Sequence, residues 1–443
     1  MIPTFKPFKK KAKFFMPHFP IFTGNLKSAD ASNVKYLLQK LGNPQDKLKN
    51  VIHVVGTNGK GSSCAYLKSI LNASGFTTCV YTSPHLHASN ERIDILGEQI
   101  SDLDLFTSSE KVRFLCEEYK ISLTIFESLT IVAILSFAKA NADFCIFEAG
   151  MGGECDATNV FNEESIIGVL LTSISYDHTR FLGNDLNSII SHKLGVIKKN
   201  KPVVFHPFSG EVLYTVLEKI AQKGAIPKFF GRDYNFCKVE FEDGTLGLEF
   251  EGKNSIIVPL PPLLGEHQLY NLTAVLAFFE AINLNLKEED IIQGILNTKW
   301  AGRLERVTED DFISLLPENS EIWFDGAHNE GGAKVIASWL LSQSQELTNI
   351  VIIGKTRGTE VNKFILPFKD LVRYGFAIEG KGEIYPEFKS VLLTGFHNAN
   401  IECFGVDSIK EALKKVALLH QKPVRILICG SLYLARDLSF ESF

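Results

Sequence analysis

The glycine-rich stretch GTNGKGS, residues 56–62, has the residue types that could bind a polyphosphate. It lies between the apolar run VIHVV and the helical pattern SCAYLKSIL, so we predict a turn from a strand into a helix. The N–H groups of such a turn and the positive helix end attract anions, and Lys60 can neutralise phosphate charge. The motif is shorter than the common phosphate loop, and Gly61 separates Lys60 from Ser62. It predicts a shortened nucleotide-binding loop, although a plain glycine-rich turn is the alternative.

Polar side chains follow other predicted strands as well. Ser83 follows CVYT, Glu148 follows DFCIF, and His178 lies in SISYDHT after VLLTSI. The carboxyl ends of strands in a doubly wound sheet meet at one crevice, where these groups could share a divalent cation with ATP phosphates. Taken singly, the serine before Pro84 and the histidine are more simply a loop residue and a hydrogen-bonded side chain. Glu148 is harder to dismiss, because a buried carboxylate without a cation or donor is costly.

The elements that must position these residues alternate between apolar runs and amphipathic stretches. VIHVV, CVYTS, DFCIFEAG, VLLTSI and KPVVFH predict buried parallel strands, and SSCAYLKSILNASG predicts a helix that stops at Gly75. This alternation is typical of a doubly wound α/β sheet, here a P-loop ATPase-like domain. Within 234–258, the Asp243-Gly244 turn between alternating runs predicts a small antiparallel subdomain.

A second α/β region follows the segment WAGR. EIWFDGAHN, NIVIIGKT, YGFAIEG and RILICGS predict the strands of a smaller, Rossmann-like domain. We therefore predict two domains, 1–300 and 301–443.

Composition limits the classes of function. The chain has 443 residues, of which 45% are hydrophobic and 22% charged, as in soluble globular proteins of two or three domains. Its formal net charge of -5 argues against nucleic-acid binding. Eight cysteines without a CxxC pair predict buried, reduced thiols in the cytoplasm. No run has the roughly 18 apolar residues of a membrane span, and we expect the basic start MIPTFKPFKKKAKFF to be solvated.

Several motifs together resemble one family. TSPHL, NERI, FEAGMGGECDATN, SYDHT, HKLGVIK, GRLE and DGAHN occur in the order seen in folylpolyglutamate and dihydrofolate synthases, members of the Mur ligase superfamily. The resemblance runs from about residue 34 to the GSLYLA segment, and GTNGKGS is similar to the short phosphate loop of that superfamily. It implies an ATP-dependent ligase that joins L-glutamate to a folate or to dihydropteroate through an acyl phosphate.

The resemblance also implies roles at the nucleotide. The loop Gly56, Thr57, Asn58, Gly59, Lys60, Gly61 and Ser62 would hold ATP phosphates, and Ser83, Glu148 and His178 would ligate one Mg²⁺. Lys193 matches a lysine that is carbamylated in many relatives and would then bind a second Mg²⁺; the alternative is an unmodified lysine. Asn271 would lie near adenine, and Arg303 would reach the phosphates. Asp325 and His328 would contact phosphate and ribose, although His328 could be a structural turn residue.

The positions implied for the acceptor substrates are Arg92, Ser431 and Tyr433 on the glutamate side, and Thr124 and Phe126 near the pteridine. A phenylalanine in such a run is by default a core residue. Two segments depart from the family pattern, KTRGTEVNKF and EGKGEIYPE, and they bear on glutamate recognition and chain length.

Two alternative functions remain open from the sequence. A Mur ligase acting on a peptidoglycan precursor would share the loop and the metal residues. Such enzymes usually carry an added N-terminal domain, whereas 55 residues precede Gly56. The other alternative is an ATP-binding switch without ligase activity. On resemblance we expect a monomer.

Overall fold

The computed structural model describes residues 31–357, 360–380 and 386–438. The basic N-terminal run lies outside the described residues, as do parts of both segments that depart from the family pattern. The described strands form three sheets. No helix in this part of the chain combines the length and apolar character needed to cross a membrane.

The first sheet has eight strands in the order β4-β3-β2-β5-β1-β6-β7-β8. They are β1 Val51–Val55, β2 Thr78–Tyr81, β3 Ile93–Ile95, β4 Glu98–Gln99, β5 Phe144–Glu148, β6 Ile166–Leu171, β7 Pro202–Phe205 and β8 Ile226–Phe229. The five predicted strands are β1, β2, β5, β6 and β7, and the parallel pairing predicted for them is confirmed. The edge strands β3 and β4 pair antiparallel and were not predicted.

Helices cover both faces of this sheet. They are α1 Ser32–Lys40, α2 Lys60–Ala73, α3 Asp102–Tyr119, α4 Ile125–Ala140, α5 Thr179–Leu182, α6 Leu186–Lys193, α7 Gly210–Gln222, α8 Glu266–Ala281 and α9 Glu288–Leu296. Successive residues of a strand point to opposite faces. In β1, Val51 therefore packs in the core shared with α1, α3 and α4, whereas Ile52 and Val54 pack in the core shared with α2 and α8.

A three-stranded antiparallel sheet follows, as the sequence predicts. It consists of β9 Asn235–Glu240, β10 Leu246–Glu251 and β11 Ser255–Pro259, in the order β11-β10-β9. The turn between β9 and β10 contains Asp243 and Gly244. Asp243 Oδ1 accepts hydrogen bonds from the backbone N–H and the hydroxyl of Thr245, and Gly244 has a φ of 80°. A left-handed turn residue of this kind favours glycine.

The third sheet has the order β12-β13-β17-β14-β15-β16. Its strands are β12 Glu305–Val307, β13 Glu321–Phe324, β14 Thr348–Ile353, β15 Tyr374–Ile378, β16 Cys403–Val406 and β17 Val424–Cys429. Its helices are α10 Asp310–Ile313, α11 Glu330–Ser342, α12 Val361–Ile365, α13 Lys389–Asn398 and α14 Ile409–Leu419. The four predicted strands are β13, β14, β15 and β17. The antiparallel edge strand β12 and the strand β16 were missed.

The cysteines only partly match the expectation of buried thiols. Four of them, Cys64, Cys79, Cys145 and Cys429, are buried, but Cys155 and Cys237 are exposed. No disulfide joins any of the eight, all of which lie in the described residues. The expectation of burial was therefore wrong for Cys155 and Cys237, because neither lies within a core-facing apolar run.

The close contact between α2 and α9 depends on Gly294, which has no side chain. A Cβ on Gly294 would lie 2.5 Å from Ile70 Cα. We expect Gly294→Val to destabilise the fold by about 1–3 kcal/mol, because a backbone atom must move to make room. Urea unfolding measures this free energy. As the control, Gly405→Ala should change it little, since a Cβ there meets its nearest atom at 3.5 Å. Equal effects of the two substitutions would contradict the prediction.

Candidate active site

One cavity collects the chemistry-bearing residues that the sequence predicts. Its volume is about 1660 Å³. It is lined by loops that follow the carboxyl ends of strands in the first and third sheets. The predicted residues lining it are Gly56, Thr57, Asn58, Gly59, Lys60, Gly61, Ser62, Ser83, Arg92, Thr124, Phe126, Glu148, His178, Lys193, Asn271, Arg303, Asp325, His328, Ser431 and Tyr433. Every predicted site residue therefore lines the same cavity.

The phosphate loop is held by the segment that follows β6. The N–H of Thr57 donates to the carbonyl of Ser173 at 2.7 Å. The N–H of Asn58 donates to Ser173 Oγ, and the same hydroxyl donates to the carbonyl of Asn58, both at 3.1 Å. Thr57 Oγ1 also donates to the carbonyl of Ser175. These bonds fix the backbone of the loop before α2 begins at Lys60.

Glycine is required at two points of this loop. Gly56 has a φ of 147°, and a Cβ there would lie 1.9 Å from Thr172 Oγ1. Gly59 has a φ of 90°, and a Cβ there would lie 2.4 Å from Asn271 Oδ1. Both positions combine an unusual backbone conformation with close neighbours. The loop can therefore lie directly against β6 and α8.

Glu148 is a buried carboxylate with donors on two sides. Ser83 N donates to its Oε2 at 3.0 Å, and Lys60 Nζ lies 3.9 Å from its Oε1. Burial raises the pKa of the Glu148 carboxyl, and the nearby Lys60, Arg303 and Arg92 charges offset part of that effect. Lys60 Nζ also donates to the carbonyl of Thr57 at 3.1 Å. Carboxylate oxygens of this kind are the donors that Mg²⁺ prefers, so Glu148 and the adjacent Ser83 fit a cation site.

His178 and Asp177 lie at the same cavity. His178 Nε2 is 3.9 Å from Asp177 Oδ2, and 46% of its side chain is exposed. His328 Nε2 lies 3.4 Å from the same carboxylate oxygen. Burial alone would raise the pKa of Asp177, but hydrogen bonds from His328 and Asn329 hold it below its ordinary value. Within the described residues, no three His, Cys, Asp or Glu side chains form a ready metal cluster.

Lys193 ends α6 and is 3% exposed. Its Nζ donates to the carbonyl of Gly56 at 2.7 Å, so it reaches the first residue of the phosphate loop. Burial and the nearby Lys60 lower the pKa of the Lys193 amine to about 7. Burial thus favours the neutral form of this amine over the charged form.

Asn271 belongs to a buried hydrogen-bonded chain. Its Nδ2 donates to Gln268 Oε1 at 2.8 Å, and Gln268 Nε2 donates to Ser62 Oγ at 3.2 Å. Both amide side chains project from α8 towards the start of α2. The structure thus gives Asn271 a role in positioning the phosphate loop; its predicted contact with adenine stays a prediction.

The Asp325 carboxylate accepts hydrogen bonds from two segments, one on each side of β12 and β13. Its Oδ2 accepts from the N–H of Leu304 at 2.9 Å, and its Oδ1 accepts from the N–H of Ala327 at 2.7 Å. Burial raises the pKa of this carboxyl, and the charge of Arg303 offsets the effect. Arg303 Nη1 donates to the carbonyl of Gly302 at 2.9 Å. Asp325 therefore holds the GRLE and DGAHN segments against each other beside the cavity.

In the TSPHL loop, His85 contacts two arginines. Arg92 Nε donates to His85 Nδ1 at 2.9 Å, and Arg436 Nη2 lies 3.2 Å from His85 Nε2. Burial and both guanidinium charges lower the pKa of His85 to about 3, which keeps the imidazole neutral. Arg436 Nε also donates to the carbonyl of Leu86 at 3.0 Å, joining the TSPHL loop to the chain's last described helical turn.

The remaining acceptor candidates also have structural roles. Thr124 caps α4, where its Oγ1 accepts from the N–H of Glu127 at 3.2 Å. The Phe126 ring packs 5.6 Å from the Tyr81 ring and lines the cavity. Ser431 Oγ accepts from the N–H of Tyr433 at 3.3 Å. These contacts place the four predicted residues at the cavity wall without assigning their ligands.

Sequence reasoning missed residues whose importance depends on contacts between distant segments. Asp177 and Asn329 stand inside the motifs SYDHT and DGAHN, so the motifs themselves signalled them. His85 likewise stands inside the motif TSPHL. Ser173 and Gln268 had no such signal, because their role is to hold other site residues.

Comparisons with a family model and with curated proteins all point to the same family. Residues 54–279 match the Mur ligase middle domain. The chain is 31% identical over 423 residues to folylpolyglutamate synthase of Lacticaseibacillus casei, covering 92% of this chain and 93% of that protein. It is 30% identical over 423 residues to the probable dihydrofolate synthetase of Schizosaccharomyces pombe, covering 91% and 95%.

A solved structure shows the same arrangement. A bifunctional folylpolyglutamate synthase/dihydrofolate synthase, crystallised with Mn, AMPPNP and L-glutamate, superposes with a TM-score of 0.76 at 26% identity. The match covers 91% of this chain and 92% of that one. The predicted α/β fold class is therefore confirmed.

The glycine requirement gives a test of phosphate binding. We expect Gly59→Ala to weaken binding of a fluorescent ATP analogue on the order of tenfold, because the left-handed backbone and the contact with Asn271 resist a Cβ. Fluorescence titration measures the affinity. Gly75→Ala is a matched control just after the same helix, with a φ of 84° and open space around it. It should lower stability and leave binding unchanged; a loss of binding in both variants would contradict the site assignment.

Proposed function

Because this chain belongs to the folylpolyglutamate and dihydrofolate synthase family of Mur ligases, we propose that its cavity joins L-glutamate to a folate or dihydropteroate carboxylate. The family membership makes the chain an ATP-dependent ligase, as the sequence predicts. One observation carries the assignment of the site: the buried Glu148 carboxylate lies between Ser83 and Lys60 at a glycine-dependent phosphate loop. This arrangement can bind a polyphosphate and a cation at the same point.

The proposed reaction has two steps. The acceptor carboxylate attacks the γ-phosphorus of ATP, the bond to the β-γ bridging oxygen breaks, and ADP and an acyl phosphate result. The glutamate amine then attacks the acyl carbon, phosphate leaves, and the amine loses a proton as the amide forms. Lys60 and Arg303 offset the repulsion between the two anions during the first step. Enclosure by loops of two sheets keeps water from the acyl phosphate.

Magnesium sites are proposed at two places. Ser83, Glu148 and His178 would hold one Mg²⁺, and a carbamate on Lys193 would supply oxygen ligands for a second. When bound, Mg²⁺ polarises phosphoryl oxygens and neutralises developing charge. A related structure contains Mn with AMPPNP, which supports a divalent cation beside the nucleotide. Lys193 itself suits modification, because its amine is buried with a pKa of about 7.

The other substrates are assigned by position in the cavity. We propose that Asn271 lies beside adenine and that Asp325 and His328 contact phosphate and ribose. Arg92, held by His85, would bind a carboxylate of glutamate together with Ser431 and Tyr433. Thr124 and Phe126 would contact the pteridine, since both line the cavity at the start of α4.

We further propose a domain boundary near residue 300 and a monomer that acts in the cytoplasm. Support for the boundary comes from the sheets: the last strand before it is β11, and the third sheet begins with β12 at Glu305. Size-exclusion chromatography with light scattering tests the monomer.

The decisive assay measures ADP release with ATP, Mg²⁺ and glutamate. We expect release that depends on glutamate and on dihydropteroate, tetrahydrofolate or both, and mass spectra of the products distinguish these activities. Lys60→Ala should abolish turnover, because it removes the cation beside the phosphate loop and Glu148. Lys68→Ala is the control, since this lysine of the same helix pairs with Asp94 instead. Release only with UDP-muramoyl precursors would overturn the proposed function.

Carbamylation of Lys193 has its own test. We expect a carbamate signal in ¹³C NMR with ¹³CO₂ whose intensity rises between pH 6 and pH 8. The sign follows from the pKa of about 7, because deprotonation above that value supplies the neutral amine that attacks CO₂. Lys193→Met should remove the signal, whereas Lys199→Met, a change at an exposed lysine, should keep it. A signal unchanged in Lys193→Met would refute the assignment.

A further inference from the structure

Two asparagine side chains join the phosphate loop to the loop between β13 and α11. Asn58 Nδ2 donates to Asn329 Oδ1, and Asn329 Nδ2 donates to Asn58 Oδ1, both at 3.0 Å. The residues are 271 positions apart in the sequence. Each amide acts as donor and acceptor, so the pair fixes both the distance and the relative orientation of the two segments.

Asn329 is itself firmly held. Its Oδ1 also accepts from the N–H of Gly332 at 2.9 Å and thereby caps α11. Its Nδ2 also donates to Asp177 Oδ2 at 2.9 Å. That carboxylate oxygen lies 3.4 Å from His328 Nε2. The amide pair therefore connects the loops that follow β1, β6 and β13.

The start of α11 packs directly on the phosphate loop. A Cβ on Gly331 would lie 3.1 Å from Asn58 Nδ2 and 2.9 Å from Ser175 Oγ. This close approach leaves no room for an intervening water layer at Gly331. The amide pair can form only when the two segments lie this close together.

The Asn58 side chain is not needed to hold its own loop. Ser173 Oγ already binds both the N–H and the carbonyl of Asn58. The Asn58 side chain instead makes its hydrogen bonds with Asn329. We therefore assign it a role in holding the start of α11 against the phosphate loop, separate from the role of the loop backbone in binding phosphate.

We propose that Asn58 and Asn329 are positioning residues of the ligase reaction. Their amide pair holds His328 and the start of α11 against the phosphate loop while the acyl phosphate forms and reacts. This inference rests on the proposed function. A misplacement of groups around reacting atoms lowers the rate of the chemical step far more than it lowers the affinity for a nucleotide bound mainly by the loop.

The test uses Asn58→Ala, Asn329→Ser and the double variant. Serine caps helices about as well as asparagine, so Asn329→Ser keeps the start of α11 while removing the amide pair. We expect each single variant to lower kcat on the order of tenfold, the scale of two hydrogen bonds. The double variant should lose no more than Asn329→Ser alone, because that variant already breaks the amide pair together with the bond to Asp177 Oδ2. The affinity for an ATP analogue and the melting temperature should stay close to the wild type.

A contrasting control is Ser173→Ala, which loosens the loop backbone and should raise the KM for ATP. Losses of kcat that multiply in the double variant, or ATP affinity that falls in step with kcat, would overturn the inference. So would single variants with the wild-type kcat. If the wild-type protein shows no glutamate-dependent ADP release, the proposed function fails as well; if it does and the variants keep kcat, only the inference fails.

Discussion

The attraction between a buried carboxylate and the cations around it organises this site. Glu148 lies at the last position of β5, where burial opposes its charge and Lys60, Arg303 and Arg92 favour it. The same cations suit a reaction in which a carboxylate must approach a triphosphate. Two anions repel each other strongly in a water-poor cavity unless positive charge surrounds them.

The parallel sheet makes that concentration of charge possible. Strands that run in the same direction place the loops at their carboxyl ends along one edge. Gly56 after β1, Ser83 after β2 and Glu148 at the end of β5 become neighbours although up to 92 positions separate them in the sequence. The third sheet contributes Asp325 and His328 in the same way, from the loop after β13. Each sheet alone leaves its charged edge open to water.

Loops of the first and third sheets contact each other at two places beside the cavity. At the phosphate loop, Asn58 pairs with Asn329. At the TSPHL loop, Arg436 donates to the carbonyl of Leu86, whose side chain is buried in the core of the third sheet. The contacts between the two sheets are therefore both polar, through these hydrogen bonds, and apolar, through the Leu86 side chain.

The sequence alone determined the local features of this protein. Strand-helix alternation, the Asp243-Gly244 hairpin and the identity of the phosphate loop follow from neighbouring residues, because backbone conformation and hydrophobic periodicity are local properties. Every site residue that the sequence predicts also lines the cavity. Only the tertiary structure decided that Asp177 connects His328 with Asn329, that His85 separates two arginines, and that Lys193 reaches Gly56. Those relations depend on the packing of segments 100 or more positions apart and on burial, which no local pattern encodes.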